Sequence, residues 1–347
     1  MKKSSLIFQS ILDWYDQYKR QLPWRSDAPN PYHIWLSEIM LQQTTVPTVI
    51  PYFLRFIEKW PTLEALACAS LDSILVEWQG LGYYSRARNL HKCAQYIQTN
   101  LKGHFPQSAT MLQSLPGIGS YTSAAIASIA FNQPTAVVDG NIVRVLSRLY
   151  AIETPYPASK SQILEIATQL TPTHRPGDYA QALMDLGAMI CKPQNPRCTL
   201  CPLLNQCEAY RQDAPSRYPI KEPKEEKPIR YTTAFLIQNQ DEQIFLRRRN
   251  EKGLLGGMME VPTGSWETKE KPFNESLSHA LLSSLLPPFH LMGEIRHTFT
   301  HFHLKVKIFK TVVHHASLQG AWIHERDLHT QALPTLMKKI IRKGLKQ

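Results

Sequence analysis

Two carboxylates of the sequence, Glu38 and Asp139, have surroundings that favour chemistry. The neighbours of Glu38 at helical spacing are apolar: Ile34, Trp35, Ile39 and Met40. Burial in such a setting raises a carboxyl pKa towards the range of a proton donor. Asp139 follows the pair Val137-Val138, which predicts a partly enclosed position at the boundary of a structural element. Two carboxyl groups in different environments can divide the work between proton donation and stabilisation of positive charge.

Each carboxylate also has an ordinary structural explanation. A buried Glu38 could pair with a lysine or arginine. Asp139 could cap a helix that continues from Asn141, a role that is compatible with catalysis. Pro31 suits the first turn of the helix that carries Glu38, and Gln42 projects from the same face one turn later. The sequence therefore predicts one helix that presents both Glu38 and Gln42.

Four of the six cysteines lie within seventeen residues of each other, and Cys68 and Cys93 stand apart. The cluster has the spacing C-x6-C-x2-C-x5-C and consists of Cys191, Cys198, Cys201 and Cys207. Six cysteines in 347 residues are too few for a disulfide scaffold, so a metal centre is favoured over four unrelated thiols. Zinc and an iron–sulfur cluster both accept four cysteines, and the spacing leaves the choice open.

A glycine-containing turn at residues 115–119 separates two predicted helices. Ser108 is placed to cap the first helix, which runs to Ser114, and the second begins near Ser120. Gly117 and Gly119 allow backbone N–H groups to approach a phosphate at the positive end of the second helix. An ordinary hairpin of two helices has the same pattern, so the turn alone is weak evidence.

The order of elements predicts two domains joined by a linker. Apolar residues recur at helical spacing from Leu6 to about Tyr210, and residues 212–230 are rich in Pro, Lys and Glu. Beyond the linker, residues 232–237 and 243–246 predict two strands, and the alternation in residues 304–310 predicts a half-buried third. We therefore expect a mostly helical body followed by a smaller α+β domain.

Composition limits the class of protein and of partner. A hydrophobic content of 43% excludes wholesale disorder, and a net charge of +11 favours a polyanion, either nucleic acid or an acidic membrane surface. The longest stretch without Asp, Glu, Lys or Arg, residues 103–138, contains three prolines and cannot span a bilayer. We expect a soluble, cytoplasmic protein without a membrane partner.

The hairpin, followed twenty residues later by Val137-Val138-Asp139-Gly140-Asn141, resembles the helix-hairpin-helix DNA glycosylases. Three further segments are similar to the adenine DNA glycosylases (the MutY type), which remove adenine mispaired with 8-oxoguanine. These segments are residues 22–25 (LPWR), 35–44 (WLSEIMLQQT) and 80–90 (GLGYYSRARNL). The similarity extends over essentially the whole helical part of the chain.

The resemblance implies roles for particular residues. Glu38 would protonate adenine N7, and Asp139 would stabilise the oxocarbenium ion or bond to it briefly. Arg25, Tyr121 and Asn141 match positions that shape the pocket. Gln42 and Tyr83 match residues inserted into the duplex beside the mispair, where an aromatic ring offsets stacking lost by the flipped base. Gly117 and Gly119 would bind the DNA backbone.

The same resemblance separates this chain from related enzymes. Thymine-glycol endonucleases carry a lysine nucleophile just after the hairpin, where this chain has Ser120-Tyr121-Thr122, so no Schiff base is expected there. The cysteine spacing is that of endonuclease-III-like glycosylases, which implies a [4Fe–4S] cluster. We expect that cluster to serve structure and DNA docking and to take no part in the hydrolysis.

Two segments of the second domain resemble known motifs. Residues 253–262 are similar to the segment before the metal-binding helix of Nudix folds, but the Arg-Glu…Glu-Glu run is missing, so nucleotide hydrolysis is not expected. Phe299, Thr300 and His301 resemble the Phe-Ser-His motif that recognises 8-oxoguanine, with threonine in place of serine. Threonine keeps the hydroxyl group and adds a methyl group.

These observations define the expected protein. Residues 1–211 form a helix-hairpin-helix glycosylase body with the cluster loop at 191–207, residues 212–230 a linker, and residues 231–347 a Nudix-like domain. The expected activity is monofunctional hydrolysis of adenine opposite 8-oxoguanine or guanine in double-stranded DNA, by a monomer. The alternatives are a bifunctional endonuclease-III-like glycosylase/lyase and a non-catalytic iron–sulfur DNA-binding module, which the presence of both Glu38 and Asp139 disfavours.

Overall fold

The structure is a computed structural model that describes residues 2–223, 226–285, 288–314 and 318–346. The chain divides into two compact units. The first comprises Met1–Cys68 and Asn89–Lys224, and the second comprises Ala69–Arg88 and Glu225–Gln347. Among the described residues, no helix combines the length and apolar character needed to cross a membrane.

The helices are α1 (Lys2–Tyr18), α2 (Pro31–Leu41), α3 (Val46–Lys59), α4 (Leu63–Cys68), α5 (Leu71–Glu77), α6 (Ser85–Asn100), α7 (Ala109–Gln113), α8 (Ser120–Phe131), α9 (Gly140–Leu149), α10 (Lys160–Leu170), α11 (Pro176–Met189), α12 (Glu208–Arg211), α13 (Phe273–His279) and α14 (Thr335–Leu345). The strands are β1 (Ile229–Asn239), β2 (Ile244–Arg248), β3 (Met259–Glu260), β4 (His290–Thr298), β5 (His303–Val313) and β6 (Ala321–Ile323).

The first unit is built around α8, which packs against α2, α7 and α11. Alanine and serine dominate α8, so neighbouring helices approach it closely. A Cβ atom at Gly177 of α11 would lie 2.5 Å from the carbonyl oxygen of Ser128, and one at Gly187 would lie 2.6 Å from Cβ of Asn141. Glycine is therefore required where α11 meets α8 and α9.

The starts of three helices agree with the sequence. Asn30 caps α2 through the N–H of Tyr32, and Pro31 is the first helical residue. Ser108 caps α7, and α8 begins at Ser120 directly after the turn. All three predicted helix starts are confirmed, and they place Glu38 within α2 and the turn between α7 and α8.

The second unit contains a sheet in the order β3-β2-β1-β5-β4, with β6 paired to β2. β1 and β5 are parallel, and the other pairs are antiparallel. One face of β1 packs in an apolar cluster with α14, and the opposite face packs with α13. Leu304, Val306 and Ile308 of β5 are buried and their neighbours are partly exposed, which confirms the predicted half-buried strand.

The structure differs from the predicted linker at residues 212–230. Residues Pro215–Arg217 form a short 3-10 helix, and Tyr218 is fully buried. The N–H of Tyr156 donates to the carbonyl of Ile220 at 2.8 Å. These contacts attach residues up to about 221 to the first unit, since a buried aromatic ring holds a proline-rich segment in place. Residues 224 and 225 of the predicted linker lie outside the described residues.

Residues 69–88 also differ from the prediction, because they belong to the second unit and not to the helical body. Asp72 accepts two hydrogen bonds from Arg248, at 2.8 and 2.7 Å. The amide of Gln79 donates to the carbonyl of Gln331 at 2.8 Å. Sequence periodicity identifies the helices but not these long-range polar contacts.

Candidate active site

Glu38 lies in the middle of α2 and is buried, with 5% of its surface exposed. Burial raises the pKa of its carboxyl group from 4.5 to about 7. The Tyr121 hydroxyl donates to Glu38 Oε2 at 2.8 Å and opposes that rise. The negative charge of Asp139 raises the pKa further, and the positive charge of Arg25 lowers it. A carboxyl group with a pKa near neutrality can donate a proton at physiological pH.

Asp139 caps α9, as its sequence position allows. Its Oδ1 accepts the N–H of Ile142 at 2.7 Å, and its Oδ2 accepts the side-chain amide of Asn141 at 2.7 Å. Burial raises the pKa of Asp139, and these two hydrogen bonds act in the opposite direction because they stabilise the charged form. Asp139 is thus held in one orientation, and its charge acts on Glu38.

Sequence reasoning missed two arginines on α9. Arg144 donates to Asn141 Oδ1 at 2.9 Å and to the carbonyls of Gly187 and Cys191, each at 2.6 Å. Arg148, one turn later, donates to the carbonyls of Lys192 and Pro193 and contacts the Cys191 sulfur at 3.4 Å. Their spacing of four residues was visible, but their partners in residues 187–193 are 43 to 47 positions away and gave no local signal.

All four clustered cysteines line one pocket of the first unit, together with Arg148 and apolar side chains. Short 3-10 helices shape this loop at Cys198–Leu200 and Leu204–Gln206. No set of three or more His, Cys, Asp or Glu side chains in the described residues is arranged to bind a single metal ion. The pocket nevertheless collects four thiols on one concave surface, which is the donor set that an iron–sulfur cluster uses.

Arg25, a predicted pocket residue, is attached to a residue that sequence reasoning did not select. Its guanidinium group donates to both carboxylate oxygens of Asp185, at 2.7 and 2.9 Å. Arg20 binds the same carboxylate through Nε at 2.6 Å. Both arginines line a cleft that is also lined by Gln181 and by Ile34, one turn before Glu38 on α2. The only sequence signal for Asp185 was an acid within an apolar helical run.

The predicted DNA-contact residues of the first unit lie around the start of α8. The helix predicted to present Gln42 ends one residue before it, at Leu41, and Gln42 has a non-helical backbone with a ψ of 114°. Its amide donates to the Thr122 hydroxyl at 3.0 Å. Gly117 has a φ of +76° and lies so close to Asn89 that a Cβ atom would clash at 2.6 Å. A Cβ atom at Gly119 would meet nothing within 4 Å, so this backbone is open to an approaching ligand.

The remaining predicted residues lie in the second unit, where Tyr83 and Thr300 are joined by a short hydrogen bond between their hydroxyl groups. The Phe299 N–H donates to the Phe302 carbonyl, so Thr300 and His301 form the exposed tip of a tight turn. Phe299 itself is partly buried and packs against Trp266 and Phe302. The structure therefore places Phe299 as an anchor below the turn.

The loop that carries Tyr83 is held in an unusual conformation. Gly80, Gly82 and Tyr83 all have positive φ angles, of 100°, 70° and 47°. The indole N–H of Trp78 donates to the carbonyl of Gly82 at 3.1 Å, and Arg86 donates to the same carbonyl at 3.2 Å. The guanidinium of Arg86 also lies over the Tyr83 ring. Tyr83 is 43% exposed, so the loop presents an aromatic ring to solvent.

Comparison with known proteins gives matches in both parts of the chain. The family described as HhH-GPD superfamily base excision DNA repair protein matches residues 36–172, and the NUDIX domain family matches residues 233–343. A solved thermostable thymine-DNA glycosylase superposes with a TM-score of 0.56 at 30% identity, covering 61% of this chain and 98% of its own. A solved endonuclease III–DNA complex, at 23% identity and a TM-score of 0.53, covers 61% and 97% and supports the fold alone.

Fold and site together define a base-excision-repair protein of the HhH-GPD class with a C-terminal Nudix-like domain. The adenine DNA glycosylase of Homo sapiens is 38% identical to this chain and covers 96% of it and 73% of its own length. That of Buchnera aphidicola subsp. Baizongia pistaciae is 34% identical, with 97% and 96% covered. The chain belongs to the adenine DNA glycosylase family.

Proposed function

We propose that this protein removes adenine mispaired with 8-oxoguanine or guanine from double-stranded DNA by hydrolysis and leaves an abasic site. The observation that carries the proposal is the buried Glu38, whose pKa of about 7 makes it a proton donor beside a second, oriented carboxylate. Family membership supports adenine as the base that is removed.

Glu38 and Asp139 divide the reaction between them. Protonation of adenine N7 by Glu38 weakens the bond between the base and the sugar, because the departing base then leaves as a neutral molecule. The sugar develops positive charge as the bond breaks, and Asp139 stabilises that charge in a water-poor site. The hydrogen bonds from Asn141 and Ile142 hold Asp139 in place before the reaction begins.

In this proposal, the second unit recognises the 8-oxoguanine or guanine that lies opposite the adenine. Thr300 and His301 are exposed at the tip of their turn, and Phe299 anchors that turn from below. The hydroxyl contact between Thr300 and Tyr83 supports a shared surface in which the aromatic ring enters the duplex and the turn contacts the oxidised base. Threonine supplies the hydroxyl group that the family serine would supply.

Cys191, Cys198, Cys201 and Cys207 would hold a [4Fe–4S] cluster, which supplies a rigid link across the loop when it is bound. Arg148 contacts the Cys191 sulfur and donates to the carbonyls of Lys192 and Pro193, so α9 is attached to this loop. The same helix begins at Asp139. The cysteine loop therefore supports the position of the carboxylate without entering the chemistry.

A bifunctional glycosylase/lyase is the alternative from the same fold, and Tyr121 argues against it. The Tyr121 hydroxyl is hydrogen-bonded to Glu38, and a phenol cannot form the Schiff base through which a lysine cleaves the strand. A non-catalytic DNA-binding module is disfavoured because it has no need of a buried carboxylate with a pKa near 7.

One gel assay tests the proposal. A labelled duplex with a single A:8-oxoguanine pair is incubated with the protein and analysed with and without alkali, beside an A:T duplex as control. We expect an intact strand that breaks only after alkali, and no reaction with A:T. Strand breakage without alkali, together with a borohydride-trapped adduct, would show a lyase, and an unreactive duplex would reject the enzyme assignment.

A further inference from the structure

Asp185 of α11 is a fully buried carboxylate whose two oxygens are bound by two arginines. Arg25 donates at 2.7 and 2.9 Å, and Arg20 donates through Nε at 2.6 Å and through its backbone N–H at 3.0 Å. Four donors match the roughly four acceptor positions of a carboxylate. The carboxylate is therefore saturated and rigidly placed, and it fixes the planes of both guanidinium groups.

The same contacts extend to the turn between α1 and α2. The Arg25 guanidinium donates to the backbone carbonyl of Arg20 at 3.1 Å, which closes a ring of hydrogen bonds around Asp185. Arg25 also lies over the ring of Tyr15, with 5.8 Å between the guanidinium and the ring centroid. Only 12% of the Arg25 side chain is exposed, so its position depends on these partners.

From this position, the positive charge of Arg25 lowers the pKa of Glu38, and the negative charge of Glu38 raises the pKa of Arg25. The other groups that act on Glu38 are Tyr121 from α8 and Asp139 from the start of α9. The positive charge of Arg25 thus lowers the pKa of Glu38, and Asp185 fixes the position of Arg25.

We propose that Asp185 is a positioning residue for the glycosylase reaction: with Arg20, it fixes the Arg25 guanidinium at the place from which Arg25 acts on Glu38. This inference rests on the proposed function. A purely structural ion pair would link α11 to the α1–α2 turn, but its removal would leave the protonation of Glu38 unchanged. The pH dependence of adenine release therefore separates the two roles.

The first test is Asp185→Asn, studied by single-turnover release of adenine from an A:8-oxoguanine duplex between pH 5.5 and 9. The amide removes the negative charge that balances Arg25, so the positive field on Glu38 increases and the acid is ionised at lower pH. We expect the alkaline limb of the rate profile to move to lower pH. Misplacement of Arg25 lowers the maximal rate by about 10²-fold. Asp185→Glu keeps the charge and is expected to restore the position of the limb.

A second variant, Arg20→Gln, keeps the test decisive if Asp185→Asn does not fold. The Arg20 side chain is 24% exposed. Without it, the negative charge of Asp185 is no longer shared with Arg20 and neutralises Arg25 more completely. The alkaline limb should then move to higher pH, opposite to Asp185→Asn. The two opposite shifts cannot result from a general loss of stability.

Glu260→Gln is the matched control, because Glu260 is a buried carboxylate of the second unit that is also held by two arginines, Arg247 and Arg249. It should lower stability and leave the rate profile in place. A folded Asp185→Asn, or failing that Arg20→Gln, with an unshifted limb would overturn the positioning role. A wild-type protein that releases no adenine would instead reject the proposed function.

Discussion

At the scale of single residues, Glu38→Gln keeps the size of the side chain and can still accept the hydrogen bond from Tyr121, but it removes the transferable proton. We expect the single-turnover rate of adenine release to fall by about 10³-fold, with affinity for the mispaired duplex largely kept. Glu64→Gln, an exposed acid on α4, is the control. A rate within tenfold of the wild type would show that another group delivers the proton.

The same carboxyl group links folding stability to pH. Its pKa is about 7 in the folded protein and 4.5 without burial, so the folded state holds more protons between these values and stability falls as pH rises through them. Glu38→Gln removes this penalty. The variant should be more stable than wild type at pH 8 by up to about 3 kcal/mol, and the difference should become small near pH 4.5.

Urea unfolding at pH 8 and pH 5, for wild type and Glu38→Gln, measures this effect. Both variants share the same exposed carboxylates, so the difference between them isolates Glu38. An equal stability difference at the two pH values would mean that Glu38 does not titrate with a raised pKa.

At the scale of elements, Trp78 and Arg86 hold the loop at residues 80–83, in which Gly80, Gly82 and Tyr83 have positive φ angles. Trp78→Phe removes the indole hydrogen bond to Gly82 and loosens the loop, so affinity for the mispaired duplex should fall several-fold, about 1 kcal/mol. If Trp78 acts through Tyr83, the loss should disappear in a Tyr83→Ala background. Fully additive losses in the double-mutant cycle would assign Trp78 to stability alone.

Helix starts and strand faces were predictable because they depend on neighbouring residues. Pro31 after Asn30 marks the start of α2, and the alternation of residues 304–310 marks the buried face of β5. The contacts of Asp185 with Arg25 and Arg20 join residues 160 and 165 positions apart, and no local pattern records them. Glu38 and Asp139 were predicted from the sequence together with Tyr121 and Asn141, which contact them, whereas Asp185, which holds Arg25, was not.

At the scale of the whole molecule, the two compact units do not coincide with the two domains predicted from the sequence. Residues 69–88 lie entirely within the segment that matches the glycosylase family, yet they belong to the second unit. Periodicity assigned them to the helical body, because a salt bridge such as that between Asp72 and Arg248 has no signature in a helical pattern. Tyr83 therefore shares a unit with Thr300.

Charge is also unevenly distributed between the two parts of the chain. Residues 226–347 contain 18 Lys and Arg against 11 Asp and Glu, so most of the excess positive charge lies there. Each cation that neutralises a DNA phosphate adds to the salt dependence of binding. Deleting residues 226–347 should therefore flatten that dependence, and it would also remove Arg248 and Thr300, which contact residues 69–88.

His301→Ala separates recognition of the oxidised base from these wider effects. The change is confined to the exposed tip of the turn and leaves every Lys, every Arg and the contact between Thr300 and Tyr83 in place. Because the charges remain, the slope of log K against log salt should equal that of the wild type. The preference for A:8-oxoguanine over A:G should fall, measured as the ratio of the two single-turnover rates. A full preference in His301→Ala, together with a full preference in the truncated chain, would place recognition entirely in the first unit.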